Sequence, residues 1–525
     1  MRAPRRDHRE GKVETLHEKL FKAAERFGDR VAVMSRDRET SFREFADRVE
    51  RLAGGLQSTG LRKGDRVSIL AHNRLDYLAC HFATSRIGVI LHVMNTRHVV
   101  PEWLWAMNDA ESSALIVDRE HAGAIPELRR GCPSLRFVAG IGEVEGADFT
   151  TDQLADSGHD VRDVPRIHPR DPVLLIYTSG TTGRPKGCLQ TQVGSSTVDD
   201  LTAEVMNVTE DDVYMAIMPY FHQAGMIRSR ATMIRGGANV VPEALKIDEI
   251  VQLMAEKKVT ITMLVSSQQG LVLVDRAVNQ GLDFSSLRLL ISGGGMGRKT
   301  MLALKVLCDA LKCDFMGIYG QTECTGPVTV VSGEVAFQNP DTCGKPMRGI
   351  DLEIWDENNR KVPPGVVGEI MVRSKMTASY WKNPEANEAL YTGEWLHTGD
   401  LGRLDEEGYL YFVDRKKDLI KTGGENVYPQ EVEAVLNQHP GIAEVTVIGL
   451  PDPQWGEAVT AVIVSADGKD ISLEEIKAFC RGKIAGYKIP KMVKMVDSIP
   501  KNETGKVVKR ELRERFLKEE AGRMA

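Results

Sequence analysis

Along "ETLHEKLFKAAERFGD" the apolar positions Leu16, Leu20, Phe21 and Ala24 fall on one helical face, and Gly28 stops the run. "DRVSILA" then reads as a strand, "RLDYLACHFATSRIG" as a helix and "VILHVM" as another strand. The alternation returns in "EIVQLMAEKKV" followed by "TITMLV", and in "LRLLISGG" followed by "RKTMLALKVLCDAL". Strands spaced by helices of this length predict parallel sheets covered by helices. No short repeat or low-complexity segment interrupts the pattern.

The texture changes after about residue 350. "DLEIWDENNRKVPPGVVGEIMVRS" has strand patterns broken by turn signals at Asn358–Asn359 and Pro363–Pro364–Gly365, which predicts a mostly antiparallel piece. Further on, a helix is expected over about Pro429–His439, then strands "AEVTVIGL" and "VTAVIVSA". A helix capped by Ser472-Leu-Glu-Glu475 and a strand "KMVKMVDSI" complete the pattern. The expected class is α/β. Residues 1–413 form a large domain of helix-covered, mostly parallel sheets with a small β-rich piece, and residues 414–525 form a small α+β domain, with the boundary near Asp414–Lys417.

Composition narrows the function classes. A chain of 525 residues is too long for one ordinary core. Its hydrophobic fraction of 42% and charged fraction of 27% are those of a globular protein. The net charge of −6 gives no sign of a sequence-independent nucleic-acid binder. The eight cysteines (Cys80, Cys132, Cys188, Cys308, Cys313, Cys324, Cys343, Cys480) contain no CxxC pair, which points to reduced thiols rather than a disulfide framework. The basic start "MRAPRRDHREGK" has no apolar stretch after it, and no run approaches 18 apolar residues. The expectation is a cytoplasmic protein without a membrane span.

"TSGTTGRPKG" (Thr178–Gly187) concentrates the chemistry. A glycine-rich turn after the buried run "VLLIY" presents backbone N–H groups where the chain can approach a phosphate closely. Thr178, Ser179, Thr181 and Thr182 add hydroxyls, Gly180 and Gly183 add freedom, and Lys186 adds charge. The G-x-x-x-x-G-K-[ST] spacing of the common nucleotide P-loop is absent. The string "YTSGTTGRPKG" resembles the phosphate loop of the adenylate-forming superfamily, which includes acyl-CoA synthetases, firefly-type luciferases and peptide-synthetase adenylation domains. The resemblance continues in order through "IYGQTE" (Ile318–Glu323), "GEWLHTGDLGRLDEEGYLYFVDRKKDLIKTGGENVYPQEVE" (Gly393–Glu433) and "IPKNETGK" (Ile499–Lys506), and so covers about residues 15 to 510.

The resemblance implies a two-step reaction. A carboxylate is joined to ATP as an acyl-adenylate with release of pyrophosphate, and the acyl group then passes to a thiol. The first step adds negative charge at the α-phosphate, where fixed donors and cations are required. By resemblance the loop from Thr178 to Lys186 holds the β- and γ-phosphates. Ile318, Tyr319, Gly320, Gln321 and Gly295 belong to the ATP site, with Tyr319 stacked on adenine. Thr322 touches phosphate and Glu323 holds Mg²⁺. Asp400 and Arg415 are implied at the ribose, Lys417 at the hinge of a mobile small domain, and Lys506 as the catalytic lysine.

Coenzyme A is the implied thiol, because "KTGGENV" resembles the segment of acyl-CoA ligases that lines the pantetheine tunnel. Gly423, Gly424, Glu425 and Trp455 are assigned to it, and Lys483, Lys488 and Lys491 are candidates for its phosphates. For the acid, "MPYFHQAG" offers no carboxylate to hold a substrate ammonium, which favours an uncharged acyl tail. His222, Gln223 and Met296 are assigned to its pocket. "SGGGMG" and "LVSSQQ" depart from the family's usual strings on the pocket wall, so fatty, branched and aromatic acids all stay open. The reading is an AMP-forming carboxylic acid–CoA ligase, with a homodimer left open. The alternatives are an acyl-AMP ligase loading a carrier protein, a luciferase-like oxygenase, or a non-catalytic nucleotide-binding regulator.

Overall fold

The computed structural model describes residues 14–163, 166–178, 185–242, 246–264, 272–273, 275–276, 280–423, 425–501 and 507–524. They divide into two compact units. One comprises Met1–Asp351 with Val372–Leu396, and the other Leu352–Met371 with His397–Ala525.

The first unit holds two sheets. One runs in the order Ser379–Tyr380, Lys186–Thr191, Pro172–Thr178, Ile90–Val93, Arg66–Leu70, Ala114–Val117, Phe137–Gly140, Phe149–Thr150. All its pairings from Pro172–Thr178 to Phe149–Thr150 are parallel, and the other edge is antiparallel. Ile90–Val93 and Ala114–Val117 are buried at every residue, as parallel strands covered on both faces must be. The strand Arg66–Leu70 lies between Ile90–Val93 and Ala114–Val117. After Arg66–Leu70 the chain goes to one side, and after Ile90–Val93 it crosses back to the other. The carboxyl ends of Arg66–Leu70 and Ala114–Val117 therefore flank a topological switch point, where connections diverge and open a crevice.

The second sheet orders nine strands of this unit as Glu39–Ser41, Val31–Met34, Ala238–Val240, Val213–Met215, Ile261–Met263, Leu289–Gly293, Asp314–Gln321, Gly326–Ser332, Thr342–Pro346. It is parallel from Val31–Met34 to Asp314–Gln321 and antiparallel at both ends. The helix Leu75–Ile87 is buried around most of its circumference and carries no polar stripe, so composition rather than periodicity identifies it. Gly88 ends it at φ 70°, a left-handed cap that glycine adopts without strain.

One ion pair is wholly inside this core. Arg230 Nε and Nη2 donate to Asp199 at 2.8 and 2.9 Å, and Arg230 Nη1 lies 3.1 Å from His81 Nε2. Burial pushes the Asp199 carboxyl up, against the pull of the guanidinium, while burial and Arg230 together hold His81 well below its usual value. His81 is therefore a neutral acceptor. Asp199→Ala should destabilise the protein by about 3–5 kcal/mol, because it strands a buried guanidinium. Urea unfolding followed by tryptophan fluorescence measures this, and a loss below about 1 kcal/mol would mean that the charge finds water.

Strands Asp351–Trp355, Gly368–Arg373, Trp395–Leu404 and Leu410–Arg415, which fall mainly in the second unit, lie side by side. A separate five-stranded sheet orders Glu425–Val427, Ile420–Thr422, Gly456–Ser465 and Ile442–Asp452, with Met492–Met495 pairing on Gly456–Ser465. Alternate residues of its long hairpin serve opposite faces. Val447, Ala461 and Ile463 pack with Val432, Leu436 and Ile476. Ile448 and Val462 pack with Leu512 and Phe516. The predicted cap holds, with Ser472 Oγ accepting from Glu475 N at 3.2 Å. Among the described residues no helix is long and apolar enough to cross a membrane.

Candidate active site

The glycine-rich stretch is flanked by two paired strands. Pro172–Thr178 pairs antiparallel with Lys186–Thr191, and the register sets Thr178 opposite Lys186. The pairing holds the hydroxyl and the ammonium at the two roots of the stretch. Ser179, Gly180, Thr181, Thr182 and Gly183 lie outside the described residues.

Glu323 stands beside that root. The strand Asp314–Gln321 ends in a tight turn, Thr322–Cys324, whose next residue Thr325 takes φ 58°. Glu323 Oε1 accepts the Thr178 hydroxyl at 3.0 Å and the Tyr380 hydroxyl at 3.1 Å. Burial, with the Glu323 carboxylate next, pushes the Tyr380 phenol far up, so it stays a donor. Lys186 Nζ lies 5.0 Å from the centre of the Tyr380 ring. Gln190 Nε2 donates to Thr322 O at 3.2 Å and fixes the turn from the hairpin side. An ionised carboxylate has about four lone-pair sites, so two hydrogen bonds leave acceptor capacity for a cation. Carboxylate and hydroxyl oxygens grouped in this way suit Mg²⁺, which takes oxygen ligands and usually retains waters.

Tyr380 and Gln190 escaped the sequence reading. Tyr380 sits 57 residues beyond Glu323, in "TASYW", where no motif marks it. Only its pairing on the hairpin edge, Tyr380 with Cys188, delivers it.

The other expected nucleotide residues of this unit converge on neighbouring strands. Ile318 and Tyr319 lie on Asp314–Gln321, opposite Val330 and Thr329, and Gly320 and Gln321 end that strand opposite Pro327 and Gly326. Ile318 also pairs with Gly293, and Gly294 N donates to Ile318 O at 2.8 Å. Gly295 follows at φ 65°, where a Cβ would come within 2.7 Å of Cys343 Sγ. Glycine is required there for both backbone and space.

Of the expected acyl residues, Gln223 contacts the chain just after the Glu323 turn. His222 is the residue before the helix Gln223–Met233, and its ring lies 4.6 Å from that of Phe221. Gln223, buried, donates Nε2 to Thr325 O at 3.1 Å, which ties the helix start to the Glu323 turn. Met296 precedes the helix Gly297–Leu311, with its sulfur 3.8 Å from Ser292 Oγ.

The second unit carries two further groups. Asp400 and Arg415 are register partners, with Arg415 Nε 3.6 Å from Asp400 Oδ1. Lys417 sits in the turn Lys416–Asp418, where burial, followed by Arg415 and Arg510, lowers its pKa. Burial pushes the neighbouring Asp414 up to about 6. Gly423, at φ 60°, donates its N–H to Trp455 O at 2.8 Å, and a Cβ there would meet the Trp455 ring at 2.9 Å. Lys491 Nζ lies 4.8 Å from the centre of that ring, and Glu425 is exposed. Lys488 is ion-paired with Glu431 at 2.5 Å, and Lys483 rests on the Phe479 ring. Gly424 and Lys506 lie outside the described residues.

Comparison with known proteins gives concordant matches. Residues 20–381 match the family model described as AMP-binding enzyme, and residues 431–506 match its C-terminal domain. A feruloyl-CoA synthase of Amycolatopsis is 36% identical over 480 residues, covering 91% of this chain and 94% of that protein. An indoleacetate–CoA ligase of Aromatoleum aromaticum is 32% identical over 489 residues, covering 92% and 95%. Among solved structures, o-succinylbenzoate CoA synthetase from Bacillus subtilis with its acyl-adenylate intermediate has a TM-score of 0.81 and 28% identity, covering 94% of this chain and 97% of that one. The same synthetase with ATP and magnesium matches at the same TM-score.

Proposed function

The chain belongs to the AMP-binding enzyme family and is an AMP-forming carboxylic acid–CoA ligase, and from this premise we propose that its acid is aromatic. The enzyme joins a carboxylic acid to ATP as acyl-AMP, releases pyrophosphate and passes the acyl group to CoA; Mg²⁺ accompanies the ATP. The alternatives of a carrier-loading ligase, an oxygenase or a regulator are set aside in favour of this activity.

We assign the work to residues as follows. The Thr178–Lys186 stretch takes the β- and γ-phosphates, supported by the ammonium and hydroxyl at its roots. Glu323, with oriented oxygen acceptors beside that root, would hold Mg²⁺, which supplies charge neutralisation at the phosphates. Thr322 touches phosphate, and Tyr319 with Ile318, Gly320, Gln321 and Gly295 receives the adenosine. Asp400 and Arg415 take the ribose hydroxyls. Gly423, Gly424, Glu425 and Trp455 serve CoA, Lys417 serves as hinge, and Lys506 as the catalytic lysine. The boundary near Asp414–Lys417 belongs to the same proposal. Eight cysteines without a disulfide suit a reducing compartment, and we place the enzyme in the cytoplasm.

The observation that supports an aromatic acid is the Phe221–His222 ring pair at the head of the helix that Gln223 ties to the Glu323 turn. Phe221 is buried in the core and backs the partly exposed His222 ring, and an aromatic ring assigned to the acyl pocket favours a flat substrate by stacking, worth about 0.5–1.5 kcal/mol per pair beyond area. The feruloyl and indoleacetate relatives, named for aromatic acids, support the same class. A panel of ferulate, indoleacetate, benzoate and octanoate, assayed for ATP–pyrophosphate exchange and for thioester, tests it. kcat/KM for the best aromatic acid should exceed that for octanoate by on the order of tenfold or more. His222→Ala should shrink this ratio while KM for ATP holds. A preference for octanoate would overturn the assignment.

A further inference from the structure

At the switch point of the eight-stranded sheet, two strand ends bring three metal-ligating side chains together. His72 follows Arg66–Leu70 by two residues, and Asp118 follows Ala114–Val117 directly. His121 lies three residues on, in the turn Arg119–Ala124. Asp118 is fully buried, His121 is 9% exposed and His72 is 41% exposed. His121 Nδ1 lies 2.5 Å from Asp118 Oδ1, and His72 Nδ1 lies 3.2 Å from Asp118 Oδ2. One ligand atom from each residue can be chosen so that all lie within 4.8 Å of one another.

We propose that His72, Asp118 and His121 form a binding site for a divalent transition-metal ion of the zinc type. Two imidazoles and a carboxylate suit zinc, and such three-residue sites keep a further position for water or another ligand. Ligand atoms on one tetrahedral zinc lie about 3.4 Å apart at bond lengths of about 2.0–2.1 Å, so the cluster needs only small side-chain rotations to close. The exposed His72 gives the ion an entry path. The ligand set also differs from the all-oxygen environment that Mg²⁺ prefers, so nucleotide-bound magnesium does not compete for it.

The surroundings fit a cation. His72 N donates to Asp118 Oδ2 at 2.8 Å and holds the carboxylate in place. His121 Nε2 lies 3.3 Å from Thr96 O, the kind of outer contact that fixes a ligating imidazole through its second nitrogen. The edge of Trp103 packs on the His121 ring at 5.6 Å. The nearby charge that opposes a metal is Arg74, 3.8 Å from Asp118, and its Nη2 is engaged by Glu120 at 2.6 and 2.7 Å.

The test uses the full chain, stripped of metal and held in excess Mg²⁺. Zn²⁺ uptake is measured by calorimetry, and Co²⁺ is added as a spectroscopic probe. The wild type should take up one equivalent more Zn²⁺ than His72→Ala, with a rise in Tm that the variant lacks. Co²⁺ should give the visible bands of a low-symmetry nitrogen–oxygen site. Loss of an outer-shell partner alone costs about 10–100-fold in affinity, so His72→Ala should weaken this site on the order of 100-fold or more. His72 is partly exposed, so the variant should fold, and its retained CoA-ligase activity with MgATP confirms that it has. Equal uptake by wild type and His72→Ala, or no uptake by either, would overturn the proposal and leave the cluster as a His–Asp ion pair that ties two strand ends together.

Discussion

Glu323→Gln should slow acyl-adenylate formation by on the order of 10² or more while the protein stays folded. The substitution separates two roles that share one side chain. As a hydrogen-bond acceptor, Glu323 receives the Thr178 and Tyr380 hydroxyls at 3.0 and 3.1 Å. Glutamine keeps a carbonyl oxygen that can accept both, so the turn and the hairpin root should stay joined. As a charge, Glu323 is proposed to hold the cation that neutralises the triphosphate, a role that glutamine could not fill. The loss should appear in pyrophosphate release under single turnover, and the Mg²⁺ concentration for half-maximal rate should rise. Tyr380→Phe supplies the contrast. It removes one hydroxyl and no charge, and should cost about 0.5–1.5 kcal/mol of stability with a small effect on rate. If the two variants lost adenylation equally, Glu323 would be a structural acceptor and the metal role would fall.

The contrast between Glu323 and Tyr380 also separates what the chain reveals locally from what only the fold brings together. Helices with one apolar stripe were legible. Leu16–Phe27 buries Leu16 and Leu20 and stops at Gly28, and Leu473–Cys480 starts at its Ser472 cap. Leu75–Ile87 and the strands around it were legible by their apolar runs, because both faces of a parallel sheet are covered. Strand order was not legible, since pairing is decided by long-range packing that leaves no local mark. The same limit applies to the site. Glu323, Thr178 and Lys186 stand in motifs, but Tyr380 reaches them only from the edge strand, and Gln190 only because the fold sets its strand beside the Thr322 turn. Asp199–Arg230 and His72–Asp118 are 31 and 46 residues apart, and nothing in the intervening sequence announces either pair.

Lys506→Ala and Gly424→Leu should divide the two half-reactions between them. In the proposed role, Lys506 would stabilise charge that appears on the α-phosphate only as the acyl-adenylate forms. Its removal should therefore cost on the order of 10² or more in pyrophosphate release. The second half-reaction starts from an adenylate already made and needs no such charge, so Lys506→Ala given synthetic acyl-AMP and CoA should still yield thioester. Gly424→Leu should behave in the opposite way. Its neighbour Gly423 holds φ 60° and sits so close to Trp455 that even a Cβ would meet the ring at 2.9 Å. A branched side chain added next to that contact should obstruct a pantetheine arm, while the adenylate still forms and pyrophosphate is still released. The two positions are 82 residues apart in the sequence, and the proposal assigns them to different bonds, one to the acyl-phosphate being made and one to the thioester replacing it. Single-turnover assays of each half-reaction, with Tm as the control for folding, compare the variants directly. If both lost both steps in equal measure with Tm unchanged, one set of residues would be serving both reactions, and the separate assignments of Lys506 and Gly424 would fail even with the overall ligase activity intact.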